Sequence, residues 1–236
     1  NAGTMMDRNL GATSADPADM GSYGLLYQWG RKDPFLSGSN RSNMTSFNPT
    51  MCASTNKANW VSETSTESTG TIQYAIEHPM TYIKGNTKNY DWYYMTTYTT
   101  ESSRWGTSKT VYDPCPSGWK VPEAGKNSDD VGVWGYIPYG NEVFPWNYQG
   151  GMGIIIPATY CGSDAWYPAA GYWDGSKLTR CGHSGRYWAC NVWNSETATF
   201  ICLSFNYNSN ADDDVAMCSQ AGVSGAYAQS VRCVKE

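Results

Sequence analysis

Rings take the place of aliphatic side chains in this sequence. Eleven Trp and 18 Tyr stand against six Leu, eight Ile and eleven Val in 236 residues. A core drawn from such a supply must bury large amphipathic rings, and each indole N–H or phenol O–H then needs a hydrogen-bond partner. The expected result is a loop-rich fold with a polar rim. The long Leu/Ala/Glu/Lys segments of a helical bundle are absent, and so is the alternation of strands with 10–15-residue helices that marks a parallel α/β fold. Charge is low, at 16% Asp, Glu, Lys and Arg, so the shortage of aliphatics does not indicate disorder.

The charge balance narrows the partners. Sixteen Lys and Arg against 21 Asp and Glu give a net charge of −5. Without a basic cluster there is no electrostatic footprint for a phosphate backbone, which argues against nucleic acid. No run approaches 18 apolar residues, so no membrane-crossing helix and no direct membrane insertion is expected. Asn1-Ala2-Gly3-Thr4 has neither a charged nor an apolar leader character, so a signal peptide would lie upstream or be already removed.

Eight cysteines stand at 52, 115, 161, 181, 190, 202, 218 and 233. No CxxC or Cys/His spacing suggests zinc, and the Asp129-Asp130 and Asp212-Asp213-Asp214 pairs lack the spaced ligands of a calcium loop. No metal and no cofactor is expected. An even cysteine count in a charge-poor, Trp/Tyr/Asn/Gly/Ser-rich chain favours an oxidising, extracellular setting.

Along the chain no repeat and no linker is visible, which predicts one domain over 1–236. Leu25, Leu26 and Trp29 predict a helix within Tyr23–Arg31, stopped by Asp33-Pro34. Ile72, Ala75 and Ile76 predict a two-turn helix ended by Pro79. Residues 36–70 read as a long surface excursion. Short strands are predicted at Met5–Gly11, Trp134–Ile137, Gly153–Ala158, Tyr187–Cys190, Thr199–Asn206 and Ser230–Val234. In the run 200–205, alternation puts Ile201, Leu203 and Phe205 on a core face and Phe200, Cys202 and Ser204 on the opposite face, free to meet a ligand.

Five blocks carry a resemblance that spans nearly the whole chain: Met6–Ala12 (MDRNLGA), Gly24–Arg31 (GLLYQWGR), Tyr112–Pro122 (YDPCPSGWKVP), Pro168–Tyr172 (PAAGY) and Ser230–Val234 (SVRCV). In that order they resemble the Fibrobacter succinogenes major paralogous domain family. The resemblance implies an α+β, C-type-lectin-like fold, with short twisted antiparallel sheets, two or three short helices and long loops. It also implies a place on the cell surface, as in the tip adhesins of Bacteroidales fimbriae. Two settings stay open, a fimbrial tip and a virion, the latter with a variable protein diversified by a retroelement. The resemblance further implies a Cys115–Cys233 disulfide, with two buried free thiols as the alternative.

Catalysis finds little support in the residues. His78 and His183 are the only histidines, and Cys181 and His183 are two apart in a Gly-flanked stretch that reads as a turn, a poor frame for a nucleophile–base pair. No enzyme is expected. Binding is better supported, because Tyr, Trp, Ser, Gly and Asn are the residues that recognition loops favour. The core claims Trp29, Trp92, Trp119, Trp134 and Trp188. Exposed candidates are Trp173, Trp193, Tyr207 and Tyr227, accompanied by Asn191, Asn194, Asn206 and Asn208 and by the outward face Phe200, Cys202 and Ser204. The expected partner is a glycan or a surface protein; an assembly role among pilus or virion subunits is the alternative.

Overall fold

The computed structural model describes residues 3–37, 61–86, 90–96, 103–125, 132–134, 142–145, 152–161, 163–175, 177–194, 199–207 and 215–236. Its strands, in chain order, are β1 (Leu25–Gln28), β2 (Pro34–Leu36), β3 (Val61–Thr64), β4 (Thr81–Lys84), β5 (Trp119–Lys120), β6 (Glu142–Pro145), β7 (Gly153–Ile156), β8 (Ala165–Pro168), β9 (Tyr172–Asp174), β10 (Lys177–Thr179), β11 (Ser184–Asn194), β12 (Thr199–Tyr207), β13 (Val215–Ser224), β14 (Ala228–Ser230) and β15 (Val234–Lys235). Nine of them form one sheet in the order β10-β9-β14-β11-β12-β13-β6, with β1 joined to β14 and β2 to β1.

The α+β expectation is corrected. Strand accounts for 39% of the structure. Helix among the described residues is limited to α1 (Ile72–Glu77), a single turn at Ala158–Cys161 and a 3-10 turn at Met20–Tyr23. The fold is therefore mainly β, not an α+β lectin-like fold with two or three helices. One reason lies at residues 23–31, where the spacing of Leu25, Leu26 and Trp29 suggested a helix. Gly24 and Gly30 both take positive φ, 69° and 75°, and cut the segment to the five residues 25–29, too short for a useful helix, of which four form β1. Those four residues instead pair with β14 on one side and β2 on the other.

At α1 the sequence signals hold. Thr71 caps it, its hydroxyl accepting from Tyr74 N at 3.0 Å, and Pro79 follows the His78 C-cap. The Met5–Gly11 segment keeps only a bridge between Met5 and Val234, and residues 135–137 and 41–60 lie outside the described set.

β11, β12 and β13 form an antiparallel meander at the centre of the sheet. Both faces of β11 and β12 are covered. On one, Tyr187, Ala189, Ile201, Leu203 and Phe205 pack with Ile154, Ile156, Tyr167, Trp134 and Phe144. On the other, Trp188, Cys190, Phe200 and Cys202 pack with Trp29, Trp105, Val121 and the Cys115/Cys233 pair. Phe200 lies on Trp29 with ring centroids 3.9 Å apart. Alternation in β12 thus separates two buried faces, as in strands covered by a layer on each side.

The second layer is brought in from loops. Asp113 organises the Pro-rich turn: its Oδ1 accepts from Cys115 N at 2.8 Å and Lys109 Nζ at 2.9 Å, and its Oδ2 accepts from Val121 N at 2.8 Å. Cys115 is disulfide-bonded to Cys233, across a separation of 118 residues. Residues 90–93 are held by the Arg104 guanidinium, which bonds the Asp91 carboxylate and Trp29 O and lies 4.9 Å from the Trp92 ring and 5.1 Å from that of Trp29.

Candidate ligand-binding site

A cleft of about 300 Å³ opens where four segments meet: the end of β4, the 90–94 loop, the tip of the β9–β10 hairpin and the turn between β13 and β14. Its lining includes Lys84, Asn86, Tyr90, Asp174, Ser224 and Tyr227. Ser224 to Tyr227 form a tight turn, with Tyr227 N donating to Ser224 O at 3.1 Å. Several bonds fix that turn. Gln28 Nε2 donates to Ala226 O at 2.6 Å and to Ile83 O at 2.8 Å, and the Tyr82 hydroxyl also donates to Ala226 O. Ser224 Oγ bonds Tyr90 O, and Trp29 N donates to Gly225 O at 3.1 Å. Gly225 is needed for close approach: a Cβ there would lie 2.5 Å from the Phe200 ring and 2.9 Å from an Asp91 carboxylate oxygen.

Behind Tyr227 stands a stack. The Tyr172 ring lies 5.9 Å from that of Tyr227 at 24°, and the Arg186 guanidinium sits 3.7 Å over Tyr172 and 5.7 Å from Tyr227. Burial raises the Tyr227 phenol above its ordinary value, Asp174 adds to the shift and Arg186 opposes it. The hydroxyl is therefore a donor throughout the neutral range. Tyr90 is 52% exposed, which leaves a ring face for a ligand. Among the described residues the cleft thus offers the rings of Tyr90 and Tyr227 over a buried Tyr82, the Lys84 ammonium, the Asp174 carboxylate, the Asn86 amide and the Ser224 hydroxyl, on a turn that is already fixed. Such a set suits hydrogen bonding and stacking, and the described residues lining it include no histidine or cysteine.

Compared with protein-family models, curated proteins and solved structures, the chain shows no match in any of the three.

Of the residues expected at a recognition surface, the cleft takes up only Tyr227. Trp173 is 5% exposed; it packs on Phe35 and Tyr82 and donates Nε1–H to Leu36 O at 2.9 Å. The expectation that it is exposed fails because its turn-forming neighbours place it on β9, whose inner side faces a ring cluster. Phe200, Cys202 and Ser204 are buried too; Trp29, Trp105, Cys115 and Val121 cover Phe200 and Cys202 on the face that alternation alone would leave open. Asn191 Oδ1 accepts from Ala124 N at 2.8 Å, a structural bond. Asn194 closes β11 opposite Thr199. Asn206 and Tyr207 are partly exposed at the other end of β12, away from the turn at 224–227. Asn208 lies outside the described residues. Trp193 is 49% exposed and its indole lies against Gly222, two residues before Ser224.

Cys181 is buried in the Tyr82/Trp173 cluster. His183 stands edge-on to Tyr207, ring centroids 6.1 Å apart. Burial, helped by Arg180, holds the imidazole below its usual range. Sequence reading missed Lys84, Asn86, Asp174 and Ser224. Only the Asp174-Gly175 turn pair and the aromatic crowd at 90–94 were visible signals.

Proposed function

We propose that this chain is an extracellular ligand-binding domain that takes a glycan or a surface protein in the Tyr90/Tyr227 cleft. The observation that carries the reading is the fixed 224–227 turn, which presents Tyr227 and Ser224 beside Tyr90, Lys84 and Asp174 without further ordering. A site already ordered avoids the conformational cost of binding. Ring faces with flanking hydroxyl, amide and charged groups are the means by which recognition surfaces hold polar ligands. The resemblance to the Fibrobacter succinogenes major paralogous domain points the same way, toward adhesion at a cell surface. The Cys115–Cys233 bond fits an oxidising compartment.

The test is a glycan and surface-protein array probed with the domain, followed by titration of any hit against Tyr90→Ala and Tyr227→Ala. Each truncation is expected to weaken binding by about 1–2 kcal/mol, roughly 5- to 30-fold. Unchanged binding by both folded variants overturns the cleft assignment.

A further inference from the structure

A second pocket shares no lining residue with the first. It lies between residues 3–7, residues 163–167 and Arg232, and holds about 520 Å³, within the range of small-molecule sites. In Val231-Arg232-Cys233 the two flanking side chains belong to the aromatic layer, and Arg232 points to the opposite side. Its guanidinium lies 4.1 Å over the Tyr167 ring, and Nη2 donates to Asn9 Oδ1 at 3.1 Å. Asn9 has no freedom to turn, because its amide nitrogen donates to Tyr23 O at 3.0 Å and to the Tyr187 hydroxyl oxygen at 3.1 Å.

Among the described residues the guanidinium has no counter-charge. Arg232 is 2% exposed, and its Nε is buried without an acceptor. Among the described residues no carboxylate forms an ion pair with it. Asp7 feels its charge but is committed to Arg8 through two bonds of 2.8 Å. A guanidinium does not shed its proton, so an uncompensated charge stays buried at a cost. The open side of this charge is the pocket, whose remaining polar lining consists of Thr4, Asp7, Ser163 and Asp164, with Trp166 as a ring wall. A bare anion would meet two carboxylates at the rim. A ligand with a carboxylate at one end and hydroxyls along its body satisfies both parts: the carboxylate bonds Arg232 and the hydroxyls donate to Asp7 and Asp164.

We propose that this pocket binds the carboxylate of a sugar acid, with Arg232 as the anion partner and Asp7 and Asp164 as acceptors for ring hydroxyls. The first arm of the test leaves the protein unaltered. The domain is titrated at low salt with glucuronate, its methyl ester, glucose and glutamate, while the indole N–H signal of Trp166 and the methyl signal of Met5 are followed by NMR. Glucuronate is expected to shift both signals, with the ester and glucose bound about tenfold more weakly or less, the loss of one charge-assisted pair. Asp164→Asn, which keeps an acceptor oxygen for Ala158 N, at 2.9 Å from Asp164 Oδ1, is expected to weaken glucuronate several-fold while leaving the fold unchanged, since Asp164 is exposed. Equal binding of the ester, tighter binding of glutamate than of glucuronate, no shift up to about 10 mM, or shifts confined to the Tyr90/Tyr227 cleft would each overturn the proposal.

Discussion

The two faces of β11 and β12 each bury five rings, but they differ in what is packed among those rings and in where the polar tips are tied. On the first, Ile154, Ile156, Ile201 and Leu203 stand among Trp134, Phe144, Tyr167, Tyr187 and Phe205, and Trp134 Nε1 donates to the Tyr167 hydroxyl at 2.8 Å, a ring-to-ring bond inside the layer. In the second, the rings are tied by their polar tips. Trp29 Nε1 donates to Ala189 O at 2.9 Å, Trp188 Nε1 to Tyr27 O at 2.7 Å and Trp105 Nε1 to Tyr112 O at 2.9 Å. Trp92 Nε1 donates to Trp29 O at 2.7 Å from the adjoining loop. Each bond joins a ring to backbone of another segment. In this second, aromatic layer the indole donors therefore do what aliphatic side chains cannot, which is to fix loops that have no ladder of their own.

The largest way to break the contrast is to cut the covalent tie of the aromatic layer. The double change Cys115→Ser and Cys233→Ser releases a loop closed across 118 residues, and the chain-entropy account expects a loss of about 4–5 kcal/mol. Urea unfolding of the double variant measures it; a loss under about 1 kcal/mol would show that the ring network alone holds the layer.

A matched pair of substitutions compares the faces directly. Trp188→Phe leaves Tyr27 O without its donor and opens a void, at about 2–4 kcal/mol. Ile201→Val on the opposite face removes one methyl group, at about 0.5–1.5 kcal/mol. Similar losses, normalised to the volume removed, would mean that the indole bonds contribute nothing beyond packing.

The finest comparison reads one group at a time, in alkali. Burial pushes the Cys190 and Cys202 thiols up to about 12 and raises the phenols of Tyr27 and Tyr187 well above their usual value. These groups keep their protons in the folded chain after the unfolded chain has lost them. Stability is thus complete below the unfolded values and falls as pH rises through about 9–12, by about 1.4 kcal/mol per pH unit for each such group. Three of the four, Tyr27, Cys190 and Cys202, lie in the aromatic layer. Tyr27→Phe should flatten the decline in a urea series taken at several alkaline pH values; an unchanged slope would place the titrating groups elsewhere.

The legible part of this fold is local. Ile201, Leu203 and Phe205 were readable as a core face because alternation within one strand needs no knowledge of the rest. The burial of Phe200 and Cys202 was not readable, since what covers them arrives from residues some 80 to 170 positions earlier, at Trp29, Trp105 and the Asp113 turn. A run apolar on both faces was the available hint, weakened by Ser204. The helix expected at 25–29 failed for the same kind of reason: apolar spacing was right, but two glycines and two flanking strands decided the outcome. In the cleft, Tyr227 was legible as a ring among turn-formers. Lys84, Asn86 and Asp174 were not, because ordinary polar residues acquire a role only when four distant segments converge.

β14 has only three residues, yet it meets β1, β9 and β11, and just beyond it Val231 O and Cys233 O accept from Leu10 N and Met6 N. Leu26 pairs with Ser230, so the ribosome makes β1 about 200 residues before the strand that covers it. At about 5–20 residues per second this is a delay of roughly 10–40 s. Throughout that interval Leu26 and Trp29, both fully buried at the end, must be shielded by a collapsed intermediate or a chaperone, and a chain interrupted before Ser230 offers them no native alternative.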